Sequence, residues 1–399
     1  MTQRWHIPIF LAASVLAAGS ARAQSLTPTQ ILQQFNAVVF GNFSNTSDVE
    51  GRTVVGGALT GGATFYTNPG SEAASTFAAL SVYGASDSGS SLNINNGGGV
   101  TVAGLNNATF SLNGGNSVFI GGANSGNITA SGGGTIAING NNTGAITANG
   151  GGTGTIKING TSGPMIISGN GASTTTVDLP SATDKTPSGT IQNATVKYGP
   201  VNLTNPLPTF SSTFQTPLTN LSTQLEGHAA NSTTSSANGT LTFNAAPNKS
   251  GQAVFDISAS VLTAGNENVV FDANGATTMI VNVSCGGANC SIALPSSTNF
   301  QNPTSDASEL LWNFYNATTL DFGSEFGGSV LAPAATVANS SPIDGDLIAN
   351  AFSGNGELHN YPFTGNLTFA IPEPASIALF GLGLAGLIAI RRRTSKPIA

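Results

Sequence analysis

Two near copies decide the reading of this chain: GNITASGGGTIAING at 126–140 and GAITANGGGTGTIKING at 144–160. Working outward, the tract Leu92–Ile167 is built almost entirely from Gly, Asn, Thr, Ser, Ala and Ile. One set of apolar pairs falls at Leu92/Ile94, Phe110/Leu112, Ile128/Ala130 and Ile146/Ala148, and a second at Val100/Val102, Val118/Ile120 and Ile136/Ile138, each advancing by 18 residues. The second set then steps by 20 to Ile156/Ile158, and the spacing predicts the same step of 20 from Ile146 to Ile166. Apolar residues at i and i+2 share one face of a strand. Gly and Asn between the pairs suit tight corners. A period near 20 in this grammar predicts an all-β fold, a β-solenoid or β-helix whose coils bury their apolar rows by stacking. The outward positions read Asn93, Ser111, Thr129, Thr147 on one side and Thr101, Phe119, Ala137, Lys157 on the other.

An 18-residue coil also describes the calcium-binding β-roll, whose corners need carboxylates. Leu92–Ile167 contains no Asp or Glu, which argues against calcium-filled turns. Composition narrows the class further. Of 399 residues 51 are Gly, and only 7% are charged. Between Gln24 and Ala370 five Lys or Arg stand against 17 Asp or Glu, a balance of −12. No basic footprint for nucleic acid is present.

The ends carry processing signals. Residues 1–23 read as a secretory signal peptide, with Arg4, the apolar run Ile7–Ala18, and a small-residue cleavage site at Ala21 and Ala23. At the other end, 371–399 joins Pro372-Glu373-Pro374 to an apolar run 375–390 and then Arg391, Arg392 and Arg393. Sixteen residues rise about 24 Å as a helix, a short membrane span with its arginines held in the cytoplasm. This tail resembles the PEP-CTERM sorting signal, which implies an exosortase-type enzyme as partner and transient anchoring in the inner membrane. The body would then stand outside that membrane, at the cell surface or in the extracellular matrix.

Thr27 before Pro28 reads as a helix N-cap, with Ile31, Leu32 and Phe35 on one face, and predicts a helix capping the first coil. Phe210, Phe214, Leu218, Leu221 and Leu225 draw a second helical stripe suited to the solenoid flank. A third helix is predicted over Ser305–Tyr315, and Thr174–Pro208 reads as a proline-rich surface excursion. Val254–Leu294 reads as strands, and Leu320–Phe363 returns to solenoid grammar, predicting one discontinuous β-helix.

FNAVVFGNFSNTSDVEGRTVVGGAL after the first helix, with LLWNFYNATTLDF, GGSVLAPAATVANS and GDLIANAFSGNGELHNYPF near the end of the body, resembles the choice-of-anchor A family. That resemblance spans nearly the whole of 26–370. It implies an adhesive β-helical domain of bacterial surface proteins, and it brings no catalytic residues with it.

Candidate chemistry is sparse. Cys285 and Cys290 suit a local disulfide in an exported chain. Asp48, Glu50 and Arg52 alternate as though on one strand face, forming a surface ion pair. Asp344, Asp346, Glu357 and His359 could supply ligands if the coils bring them together. No cofactor is expected, nor is enzymatic activity. Asn-x-Ser/Thr triplets, as at Asn107, Asn127, Asn159, Asn193, Asn220 and Asn316, follow from composition. The sequence predicts an exported adhesin or matrix protein that binds extracellular polysaccharide or another surface ligand through a polar solenoid face. A polysaccharide-acting β-helix enzyme is the alternative, and an ice-binding protein a further one.

Overall fold

The computed structural model describes residues 26–368, apart from 88, 116, 150–153, 169–174, 182–191, 193, 265–267 and 288–289. The signal peptide with Ala21 and Ala23, and the tail with Pro372 to Pro374, Arg391 to Arg393 and the apolar run 375–390, lie outside the described residues. Among the described residues no helix is long and apolar enough to cross a membrane.

The paired apolar positions form strands in the expected register. Val100, Val118, Ile136 and Ile156 stack on one another in one parallel ladder, and Leu92, Phe110, Ile128 and Ile146 in a second. Their side chains point into one continuous core at 3% exposure or less. The second ladder corrects the sequence spacing. Ile146 pairs with Met165, not Ile166, so the last coil adds one residue on this sheet and Ile166 turns outward, 48% exposed.

Chain order and spatial order differ. Ala37–Val39 lies between Thr53–Val55 and the first half of Leu347–Gly354, all parallel. The chain therefore begins in the middle of the solenoid and winds outward through the repeat tract. It returns along the flank by α2 (Thr216–Glu226), which continues a π turn at Ser211–Gln215. It re-enters at the far end and winds inward until it meets its own start, the discontinuous β-helix that the two stretches of solenoid grammar predicted. A long parallel sheet and a 10-stranded parallel sheet form the main walls, and a 4-stranded sheet takes the second wall's place in the coils at the far end.

The helices lie on the outer face of the long sheet. α1 (Pro28–Gln34) starts with a capping box between Thr27 and Gln30. Its Ile31 and Leu32, with Phe35, pack in one cluster with Val38, Val54, Leu331 and Ile348 of the sheet and with Phe214, Leu218, Leu221 and Leu225 of the π turn and α2. The α2 stripe thus covers the flank. α1 does not cap an open coil, because the first coil is paired on both sides.

Two further expectations are corrected. Ser305–Tyr315 is a 3-10 turn at Ala307–Glu309 followed by a strand, Leu310–Asn313. Leu310, Trp312 and Phe314 face the core while Leu311 faces the helices, so both faces are buried and the run loses its alternation. The excursion 174–208 contains two strands of the long sheet, Thr175–Leu179 and Ala194–Tyr198.

Candidate functional site

The 10-stranded sheet presents the molecule's polar wall. Its outward row runs in register through Asp48, Thr64, Asn93, Ser111, Thr129 and Thr147 to Ile166. Successive coils repeat about every 4.8 Å. The row therefore offers one hydroxyl or amide per coil across its middle. A parallel row beside it is held by side-chain bonds between coils: Asn113 Nδ2 donates to Asn95 Oδ1 at 2.9 Å, and Ser131 Oγ to the Leu112 carbonyl at 3.0 Å. From Thr64 to Thr147 the row carries no charged side chain, and the neighbouring row is set in place by these bonds between coils.

At one end the wall runs into a charged cluster where the two halves of the solenoid meet. Asp344 and His359 are register partners on adjacent strands. His359 lies 2.6 Å from Asp344 Oδ1 through Nδ1 and 2.8 Å from Glu357 Oε2 through Nε2. The Asp344 carboxylate, with the second carboxylate at Glu357, outweighs burial and raises the imidazole to about 9. His359 is therefore protonated at neutral pH, and both ring nitrogens donate. Glu325 stands beside them, its carboxyl raised by burial and by Asp344. Glu50 accepts from the Asn360 amide at 2.8 Å and closes the cluster on the N-terminal side.

Of the sequence candidates, the coils bring together Asp344, Glu357, His359 and Glu50. Asp346 is turned away by Gly345, whose φ is +154°. It is wholly buried, accepts from the Phe363 amide at 2.9 Å and Ser329 Oγ at 3.1 Å, and burial raises its carboxyl well above the usual range. Asp344 is wholly buried too, but it is turned toward His359, so the two carboxylates do not meet the same partners. Among the described residues no group of three or more His, Cys, Asp or Glu is placed to hold a metal ion.

Arg52 does not join Asp48 and Glu50. The strand ends at Val49, and the turn through Gly51 carries Arg52 inward. There its Nη1 meets Glu72 Oε2 at 2.8 Å and the Gln34 carbonyl at 3.0 Å, and its Nη2 donates to the Tyr66 hydroxyl at 2.9 Å. Burial lifts Glu72 to about 7, against the pull of the Arg52 amide and guanidinium. This buried knot joins the end of α1, the second coil and the loop beyond Tyr66, and it has no outward face.

The outward row of the long sheet places Thr101, Phe119, Ala137 and Lys157 in register, but the helices cover its continuation at Val54 and Val38. An open groove of about 650 Å³ lies where α1, the 74–78 loop and Pro206–Pro208 converge on Thr101. Cys285 and Cys290 are disulfide-bonded, with Cα atoms 5.9 Å apart. Asn316 in the next coil clamps that loop, accepting from the Cys285 amide at 2.9 Å and donating to its carbonyl at 2.8 Å.

Sequence reasoning passed over a buried ladder at the third corner. Asn106, Asn124 and Asn142 are at most 1% exposed. Asn106 Nδ2 donates to Asn124 Oδ1 at 2.7 Å, and Asn124 Nδ2 to Asn142 Oδ1 at 2.6 Å. Their 18-residue spacing was visible in a tract where asparagine is common.

With this geometry in view, the sequence profile of the ice-binding-like adhesive domain matches residues 28–126 and 109–360. The chain belongs to that family. The two matches overlap across one coil of this adhesive domain. The PEP-CTERM protein-sorting motif matches residues 370–393, which indicates an exported protein sorted at its C-terminus by exosortase-type machinery. No curated protein and no solved structure matches the chain.

Proposed function

We propose that this protein is a non-catalytic adhesin or matrix component of the choice-of-anchor A type, held at the cell surface or in the exopolysaccharide layer after its tail is processed. The observation that carries the reading is the in-register, uncharged row from Thr64 to Thr147. Hydroxyls and amides repeated once per coil suit a hydroxyl-rich polymer, and many small contacts on a rigid face add without a deep pocket. Asp344 and Asp346, the acids nearest the wall's end on this strand, are both wholly buried, and the Asp344 and Glu357 carboxylates are engaged by His359, which favours binding over hydrolysis.

The test is binding of the purified protein to the producing cell's own exopolysaccharide, with and without chelator, alongside an assay for newly released sugar ends. Saturable, chelator-insensitive binding without release is expected, and Thr129→Lys, which sets a long charged side chain across the row, should weaken it. Sugar release would overturn the non-catalytic reading. Ice is a second ligand that the family match and the Thr129–Thr147 pair favour. Thermal hysteresis and faceted crystals would support it, and their absence would end it.

A further inference from the structure

The two ends of the solenoid are built differently. At the closed end, the strand Gln252–Ser258 is the last of the long sheet. The chain covers the first half of its outer edge: the Asn231 and Ser232 amides donate to the Val254 carbonyl at 3.1 and 3.0 Å, and Asn231 Oδ1 accepts from the Val254 amide at 2.8 Å. At the open end, Ala194–Tyr198 pairs with Thr175–Leu179 and, among the described residues, with no strand beyond it. Tyr198 is 45% exposed there, and Ile166 of the neighbouring wall 48%. A strand edge with apolar side chains beside it is a template for further pairing.

One outward row of the long sheet joins these two ends without a break in register. It starts with Asp256, Asn282 and Asn313 and finishes with Lys157, Asp178 and Lys197. Its first residue is acidic and its last is basic, and both are exposed. The surroundings have the same polarity. Glu226 and Asp272 are exposed near the closed end, opposed by Lys249, whereas Lys157 supports Lys197 at the open end, opposed by Asp178 between them.

We propose that copies of this chain stack head to tail, the end of the open strand at Lys197 and Tyr198 of one copy meeting Asp256 and Ile257 of the next, beyond the stretch that Asn231 and Ser232 cover and where, among the described residues, no further strand pairs. Lys197 then stands beside Asp256 of the following copy, as each residue of that row stands beside its neighbour within one chain. The like-charged alternative, open end against open end, would bring the Lys197 and Lys157 side chains of both copies to one seam. A head-to-tail contact does not close on itself, so it generates a filament along the solenoid axis. Such a filament extends the polar wall from one copy to the next.

The test uses the full chain carrying Lys197→Cys or Asp256→Cys, both at exposed positions. The two variants, mixed under a mild oxidant and run on a denaturing non-reducing gel, should give a covalent dimer that neither gives alone. The double variant should give a ladder. No cross-link in the mixture overturns the proposal, and so does self-linking of Lys197→Cys, which would mean that the open ends meet. Lys197→Glu should reduce association about fivefold at low salt, by sedimentation in mild detergent, and adding Asp256→Lys should restore it. Failure of the swap to restore association, with circular dichroism unchanged, overturns the register.

Discussion

His359 shows how a single residue can tie folding to pH. Its folded value of about 9 lies above the ordinary 6.5. The stabilisation is therefore complete below pH 6.5 and is lost as the pH rises toward 9. Glu72, raised from 4.5 to about 7, works in the next window down: the folded state holds its proton more tightly, so stability falls as the pH rises from 4.5 to 7. Thermal unfolding across pH should show both declines. His359→Gln should cost about 2 kcal/mol at pH 6, the scale of hydrogen bonds to charged groups, and flatten the upper window while leaving the lower one intact. The corner ladder gives a test that does not depend on charge. Asn124→Ala removes the acceptor of Asn106 and the donor to Asn142 in a dry corner. A loss of about 2–4 kcal/mol is expected, read as a lower urea midpoint. The surface Asn159, which donates to Asn139 at 2.9 Å in an exposed row, should tolerate alanine within about 0.5 kcal/mol.

At the scale of elements, legibility depended on whether one face of a strand met water. Ile136/Ile138 and Phe110/Leu112 alternate against Thr, Ser and Ala, so their strands, faces and register could be read directly. Leu310–Asn313 could not, because its other side is buried under α2 and the run imitates a helical face. Arg52 was misplaced because alternation was carried past Val49 into a turn, and Glu72, alone in a Gly, Ser and Ala stretch, offered no signal of its buried partner. The His359 cluster was half visible: its residue types could be named, but only the pairing of Ile343–Asp344 with Leu358–His359 brings them together. The disulfide loop gives a prediction at this scale. Its closed loop is short, so reduction should remove only about 2 kcal/mol on a chain-entropy estimate. Asn316 holds the same loop from the next coil. Cys285→Ser with Cys290→Ser should therefore keep the cooperative transition and lower its midpoint modestly, whereas Asn316→Ala in the reduced protein should release the loop to fast amide exchange.

For the whole molecule, the governing fact is that coils in the repeat tract are interchangeable units joined at a fixed register. Leu112 and Ala130 occupy equivalent positions in successive coils, as do Val118 and Ile136. Deleting residues 113–130 therefore joins Leu112 to Ser131, where an equivalent junction already exists, and every downstream strand meets the face it met before. The loss is one coil's intrinsic stability and one coil–coil interface, on the order of 1–3 kcal/mol, because such stacks are nearly additive. The shortened protein should unfold cooperatively with a slightly lower midpoint. Deleting 113–121, half a coil, sends strands of the long sheet onto the polar wall and breaks the ladder of Asn106, Asn124 and Asn142. That variant should lose its cooperative transition altogether. Equal behaviour of the two deletions in thermal unfolding would mean that the stack tolerates misregister, and that the ordered wall of hydroxyls and amides is not set by coil length. The full-coil deletion also removes Ser111's neighbour Thr129 from the row and joins Ser111 to Thr147, so its effect on ligand binding reports row length separately from fold.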